Sequence, residues 1–91
     1  MAAVQRKTDA NTGGGTISST VQSTVFANSK LVSVNGSTVT THGTSPNVHA
    51  GVITANGSST VFAGGIAINR TGDADSCTHA RIGGSDDVFV G

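Results

Sequence analysis

The sequence predicts an all-β domain built from about three short β units, and three observations predict it. Helix signals are nearly missing: the 91 residues include no Glu and a single Leu, and no apolar pattern keeps a 3.6-residue period. Strand signals recur instead, with 11 Val alternating with small polar residues. The third observation is an internal repeat. "STVFAN" at 23–28 returns 36 residues on as "STVFAG" at 59–64, and a degenerate copy, "DDVFVG", stands at 86–91.

Other elements recur in the same rhythm. "AVQRKTD" at 3–9 is echoed by "AINRTGD" at 67–73, and a Gly-rich approach appears as "GGGTI", "HAGVI" and "HARIGG". The stretch "STVQSTVFANSKLVSVNG" alternates Val21, Val25 and then Leu31 or Val32 with small polar residues before Asn35-Gly36. Asn-Gly between β-branched runs is a strong hairpin signal, so a hairpin is expected there and again at Asn56-Gly57. Three quasi-equivalent units of unequal length imply a pseudo-threefold body.

Composition bounds what such a chain can be. Residues 1–91 are expected to form one domain with no extension, and a domain of this size buries only roughly 60% of its extended surface. Large side chains are scarce, with three Phe, no Trp and no Tyr against 13 Gly, 11 Ser and 13 Thr. A core this poor calls for a staple, and one Cys excludes an internal disulfide, leaving a metal or another subunit. Net charge is zero and aromatic platforms are absent, which argues against nucleic acid as a partner. No run approaches the roughly 20 apolar residues of a membrane helix, so stable membrane insertion is not expected. "MAAVQRKTDANTGGG" lacks the apolar core of a signal peptide, and classical secretion is not expected either.

Four residues carry metal-ligand chemistry: His42, His49, Cys77 and His79. On an extended strand Cys77 and His79 would share a face. His42 and His49 flank a loop with Gly43 and Pro46 that is long enough to turn back. Both pairs follow a "VFA" strand and its turn, at corresponding places in successive units. A Cys/His₃ set is a complete tetrahedral shell of the kind that suits structural zinc, and metal binding would supply stability the core lacks. The bland alternative makes each His a solvated polar residue and Cys77 a small apolar one. A Cys–His dyad is disfavoured, because strand side chains two apart run parallel and transfer protons poorly, so no enzymatic activity is expected. Asp73, Asp75, Asp86 and Asp87 lack calcium-loop spacing and are assigned turn and surface roles. "NGS" at 35–37 and 56–58 matches the glycosylation sequon but is better explained as turns.

These residues together resemble the PAAR-repeat proteins. The resemblance rests on the repeated A-x-x-R-x-x-D pattern (Ala3 to Arg6 before Asp9, Ala67 to Arg70 before Asp73), the Gly-rich approaches, the S-x-T-V-F strands and the Cys/His₃ set. It runs from Ala3 to Gly91. Leu31-Val32-Ser33-Val34 stands where another copy falls, without the Arg; no literal Pro-Ala-Ala-Arg occurs; and Gly13-Gly14-Gly15 stands where many relatives carry a histidine. The resemblance implies a small conical β domain that caps the trimeric β-helical spike of a contractile injection machine, one copy per trimer. The machine would be a phage tail or a type VI secretion system. It implies zinc, with iron the weaker alternative, held near the tip by His42, His49, Cys77 and His79. It places the protein at a virion tail tip, or in the bacterial cytoplasm before export on the spike. The alternative is a free-standing zinc-stabilised β binding module, adhesin-like in character.

Overall fold

The computed structural model describes residues 2–43 and 48–91. Its regular structure is all β: β1 (Ala2–Ala3), β2 (Ile17–Ser19), β3 (Phe26–Ala27), β4 (Lys30–Leu31), β5 (Thr38–Val39), β6 (Phe62–Ala63), β7 (Ile66–Ala67) and β8 (Phe89–Val90). The strands are short because ladders here are repeatedly interrupted by turns and by changes of partner.

Each Val-Phe pair starts a two-stranded antiparallel ribbon: β3 with β4, β6 with β7, and β8 with β1. In the first, both turn residues are left-handed, Asn28 at φ 54° and Ser29 at φ 66°; in the second, Gly64 and Gly65 stand at 61° and 79°. That is the requirement of a type I′ turn, whose twist matches the strands it joins. The third ribbon pairs the two ends of the chain, Ala2 opposite Val90 and Ala3 opposite Phe89. One side-chain oxygen caps the start of each ribbon by accepting two successive backbone N–H groups. Gln22 Oε1 takes those of Thr24 and Val25, Ser58 Oγ those of Thr60 and Val61, and Ser85 Oγ those of Asp87 and Val88.

The ribbons lead into a closed ring of three segments. Val4 bridges Arg70, Arg6 bridges Val32, and Val34 bridges Ile68. At its centre Ser33 N donates to Gln5 O (2.8 Å), Gln5 N to Asn69 O (3.1 Å) and Asn69 N to Ser33 O (3.0 Å). All three residues are fully buried, with Ser33 Oγ also donating to Asn69 Oδ1. The hydrophobic core surrounds them: Val4, Ala27, Val32, Val34, Ala63 and Ile68, with Val61, Ile66 and Val90 packed against it. Each buried Val or Ile contributes about 1.5–3 kcal/mol, so a core this small leaves little reserve.

Three tight turns leave the ring. The N–H of Asp9, Ser37 and Asp73 donates back to the carbonyl of Arg6, Val34 and Arg70. The side chain of the same Asp or Ser accepts the N–H of that Arg or Val. Thr8, Gly36 and Gly72, third in each turn, take φ of 80°, 88° and 94°. Asn35-Gly36 is therefore a turn, but the expected hairpin does not follow. Val34 is taken by Ile68 and Thr38 by Ser19 and Ile53, so the flanking runs never pair with each other. Asn56-Gly57 is not a turn. A Cβ on Gly57 would come within 2.8 Å of Ile68 O and 3.0 Å of Asn35 Oδ1, so this glycine permits a close backbone approach. The surface role expected of Asp73 also fails: it is buried and pairs with Arg70 at 2.9 Å.

Beyond the turns lies a second layer. Ile17 pairs with Val39 across a bulge between β2 and β5, and Val39 N donates to Val52 O; all three side chains are buried. Isolated bridges continue the layer through Asn11–Arg81, Thr54–Asp75 and Ala74–Ala80, and then His42–His49. The molecule measures 36 × 23 × 22 Å along its principal axes.

Candidate metal centre

Two local structures aim the four expected ligands at one point. His42 and His49 form a hydrogen-bonded antiparallel pair, His42 N to His49 O at 3.0 Å and His49 N to His42 O at 2.7 Å, which closes the intervening loop at its base. Pro46, expected in that loop, lies outside the described residues. Cys77 and His79 do not sit on a strand as expected. Thr78 N donates to Asp75 O and Asp75 N to His79 O, each at 2.9 Å, so the pair rides a tight turn with Thr78 at φ 75°. The turn, rather than period-two alternation, brings the thiol and the imidazole together.

One ligand atom from each of His42, His49, Cys77 and His79 lies within 4.8 Å of all the others. The three imidazole centroids stand 4.7–5.3 Å apart. His42 is buried and the other three residues are half-buried. The His42 Nδ1 lies 2.8 Å from Thr40 O, which assigns the proton to Nδ1 and leaves a lone pair on Nε2. That Nε2 lies 3.5 Å from Cys77 Sγ. With metal bonds of about 2.0–2.1 Å to nitrogen and about 2.3 Å to sulfur, the N···S edge of a tetrahedral zinc site is about 3.5 Å. Among the described residues, His49 Nδ1 and His79 Nδ1 are buried without a hydrogen-bond partner, a cost that a set built to donate lone pairs to a cation explains. Donor types, spacing and orphaned nitrogens all fit: this cluster could hold a metal ion. The chemistry such an ion supplies here is cross-linking, and the four residues would hold it between two segments far apart in sequence.

The sequence reading passed over the remaining wall. The segment with Gly13 and Gly15 lies directly against the rings. A Cβ on Gly13 would overlap the His79 imidazole and reach His42 Cδ2 at 2.9 Å, while one on Gly15 would overlap the His42 ring and meet Val39 Cγ1 at 2.8 Å. Beneath this segment is a buried polar group. Asn11 Nδ2 donates to Asp75 Oδ2 at 2.8 Å, and Arg81 Nη1 lies 3.4 Å from the same oxygen as an ion pair with both side chains inaccessible. Asp75 is thus not a surface residue, contrary to expectation. Burial pushes the Arg81 guanidinium below its ordinary value, opposed by Asp75, Asp9 and Cys77. Nothing in the sequence around Asn11 marks it; the one available hint was the run of three glycines, where removal of every Cβ implies close contact. Asp86 and Asp87 are exposed, as expected.

Compared with known protein families and with curated proteins, the chain matches none in sequence.

Proposed function

We propose that the chain is a structural tip protein of a contractile injection machine, a phage tail or a type VI secretion system. In this reading it docks as one copy on a trimeric β-helical spike and sharpens the spike for piercing a target envelope. The body is a cone of three pseudo-threefold repeats, and structural zinc near the narrow end joins the His42–His49 pair to the Cys77–His79 turn.

The observation that carries this reading is the exposure of Phe26, Phe62 and Phe89. They are 58%, 56% and 46% accessible although they are the only aromatic residues in the chain. Each begins the same ribbon, and the three ribbons enter one closed ring. Val25 and Val88 beside them are exposed as well. Apolar side chains left in water in this number mark an interaction site, and unpaired ribbon edges are covered most naturally by other strands. A single chain that presents similar edges three times matches a partner with threefold symmetry. Successive bridges run from this ring toward the metal cluster, which supports placing docking face and tip apart. The function is mechanical, and the metal serves the fold.

The test is native mass spectrometry of the protein mixed with a trimeric β-helical spike protein. One copy per trimer is expected, lost when Phe26, Phe62 and Phe89 are together replaced by Asp. Absence of binding, or three copies per trimer, overturns the assignment in favour of a free-standing binding module.

A further inference from the structure

Asn11 has no evident chemistry of its own, yet it is only 1% exposed and uses both ends of its carboxamide. Its Oδ1 accepts the N–H of Gly13 and of Gly15, each at 2.9 Å. Its Nδ2 donates to Asp75 Oδ2 at 2.8 Å. We propose that Asn11 is a positioning residue of the metal centre: it folds the triglycine segment into a roof over the His42 and His79 rings and clamps that roof to the turn carrying Cys77 and His79. The inference rests on the reading that His42, His49, Cys77 and His79 hold a metal.

Two donors converging on one oxygen fix a three-residue segment more firmly than either alone, because the intervening backbone has no freedom left to reorient. The segment so fixed is the one whose missing Cβ atoms allow contact with the imidazoles. At the other end, Asp75 opens the turn: its carbonyl accepts from Thr78 N, and its N–H donates to His79 O. Arg81 braces the same assembly, with Nη1 3.4 Å from Asp75 Oδ2 and Nη2 donating to Asp9 O at 3.2 Å and Gly15 O at 3.3 Å. Every branch of this buried group ends on the roof, on the turn or on the segment just before the roof. With the backbone of Gly13 and Gly15 packed against the rings, the roof would shield a bound ion on the glycine side from water and chelators. Outer-shell contacts of this sort commonly govern metal affinity by about 10–100-fold.

The experiment uses cobalt(II) as a spectroscopic probe of the metal-depleted protein, together with the rate at which EDTA removes the bound ion. The wild-type protein should give the intense visible bands of a tetrahedral cobalt–thiolate site and release cobalt slowly. Asn11→Ala should release it about 10–100-fold faster and weaken the bands toward those of a five- or six-coordinate ion. A residue that merely stabilises the fold would lower the melting temperature with and without metal and leave the cobalt spectrum alone. Should Asn11→Ala fail to fold, Gly13→Ala tests the roof from above by placing a methyl against His79, with the same loss of tetrahedral bands expected. Wild-type bands and release rates in these variants overturn the positioning role. A wild-type protein that takes up no cobalt overturns the metal reading itself, and the inference with it.

Discussion

Cys77 Sγ and His42 Nε2 stand 3.5 Å apart although 35 residues separate them in the chain. A hydrogen bond to sulfur is weak, and this one contact would do little to hold two loops together. An ion between the two atoms and the neighbouring imidazoles would. Cys77→Ala should therefore abolish binding of one metal per chain, read by elemental analysis. At metal concentrations about 100-fold above the dissociation constant, the linked stability lost is about 2.7 kcal/mol. At about 4–8 °C per kcal/mol, the thermal midpoint should fall by roughly 10–20 °C. Chelation of the wild-type protein should produce the same shift, and an unchanged midpoint and metal content in Cys77→Ala would refute the assignment.

Gly57 tests why a glycine stands where the sequence suggested a turn. Its φ lies outside the left-handed region, so alanine meets no backbone penalty, and the approach of Ile68 O at 2.8 Å, Asn35 Oδ1 at 3.0 Å and Ala67 Cβ at 3.1 Å opposes it. Because the nearest obstacle is backbone, relief requires the ring segment to move. Gly57→Ala should cost about 1–3 kcal/mol by denaturant titration, the usual cost of overpacking. A neutral or stabilising effect would show that the segment yields freely.

Asp87 gives the fold a dependence on acid. Asn28 and then Ser85 donate to Asp87 Oδ1, at 2.7 and 3.1 Å, and with the Arg6 charge they hold this carboxyl below its ordinary value. Because the folded value lies below the unfolded one, near 3.9, the stabilisation is complete above that pH and is lost as pH falls through the folded value. The thermal midpoint of Asp87→Asn should lie below that of the wild type at pH 7, and the gap should start to close below about pH 4 and vanish once the pH is below the folded value. A gap that persists at pH 2 would assign the effect to hydrogen-bond geometry instead of charge.

How far the sequence foretold this structure depends on the range of the interactions involved. The all-β class and the strand character of the Val-Phe copies followed from alternation and repetition, which are local properties. Asn35-Gly36 and Asn56-Gly57 carry the same dipeptide, yet one is a turn without a hairpin and the other is a point of close packing. Their fates are set by Ile68, which takes Val34 as a bridge partner and presses its carbonyl on Gly57; no local pattern contains that information. The four candidate ligands were visible because Cys and His are so few in this chain. Their geometry was not: the turn at Thr78 requires a positive φ that threonine rarely adopts, so a strand was the natural expectation. Asp75 looked like one aspartate among several, and only the fold reveals that Arg81 and Asn11 enclose it.

The pairing of β1 with β8 sets the order in which this molecule can assemble. The ribbons at Phe26 and Phe62 close over turns of two residues and can form as soon as each has left the ribosome. Ala2 and Ala3 have no such neighbour; their strand partners are Val90 and Phe89, made more than 80 residues later. The ring through Gln5, Ser33 and Asn69 also joins segments remote in sequence. Pairing of β1 must therefore wait until residue 89 has been made, and such non-local topology folds slowly, over milliseconds to seconds. Until synthesis reaches Phe89, β1 lacks the strand it pairs with.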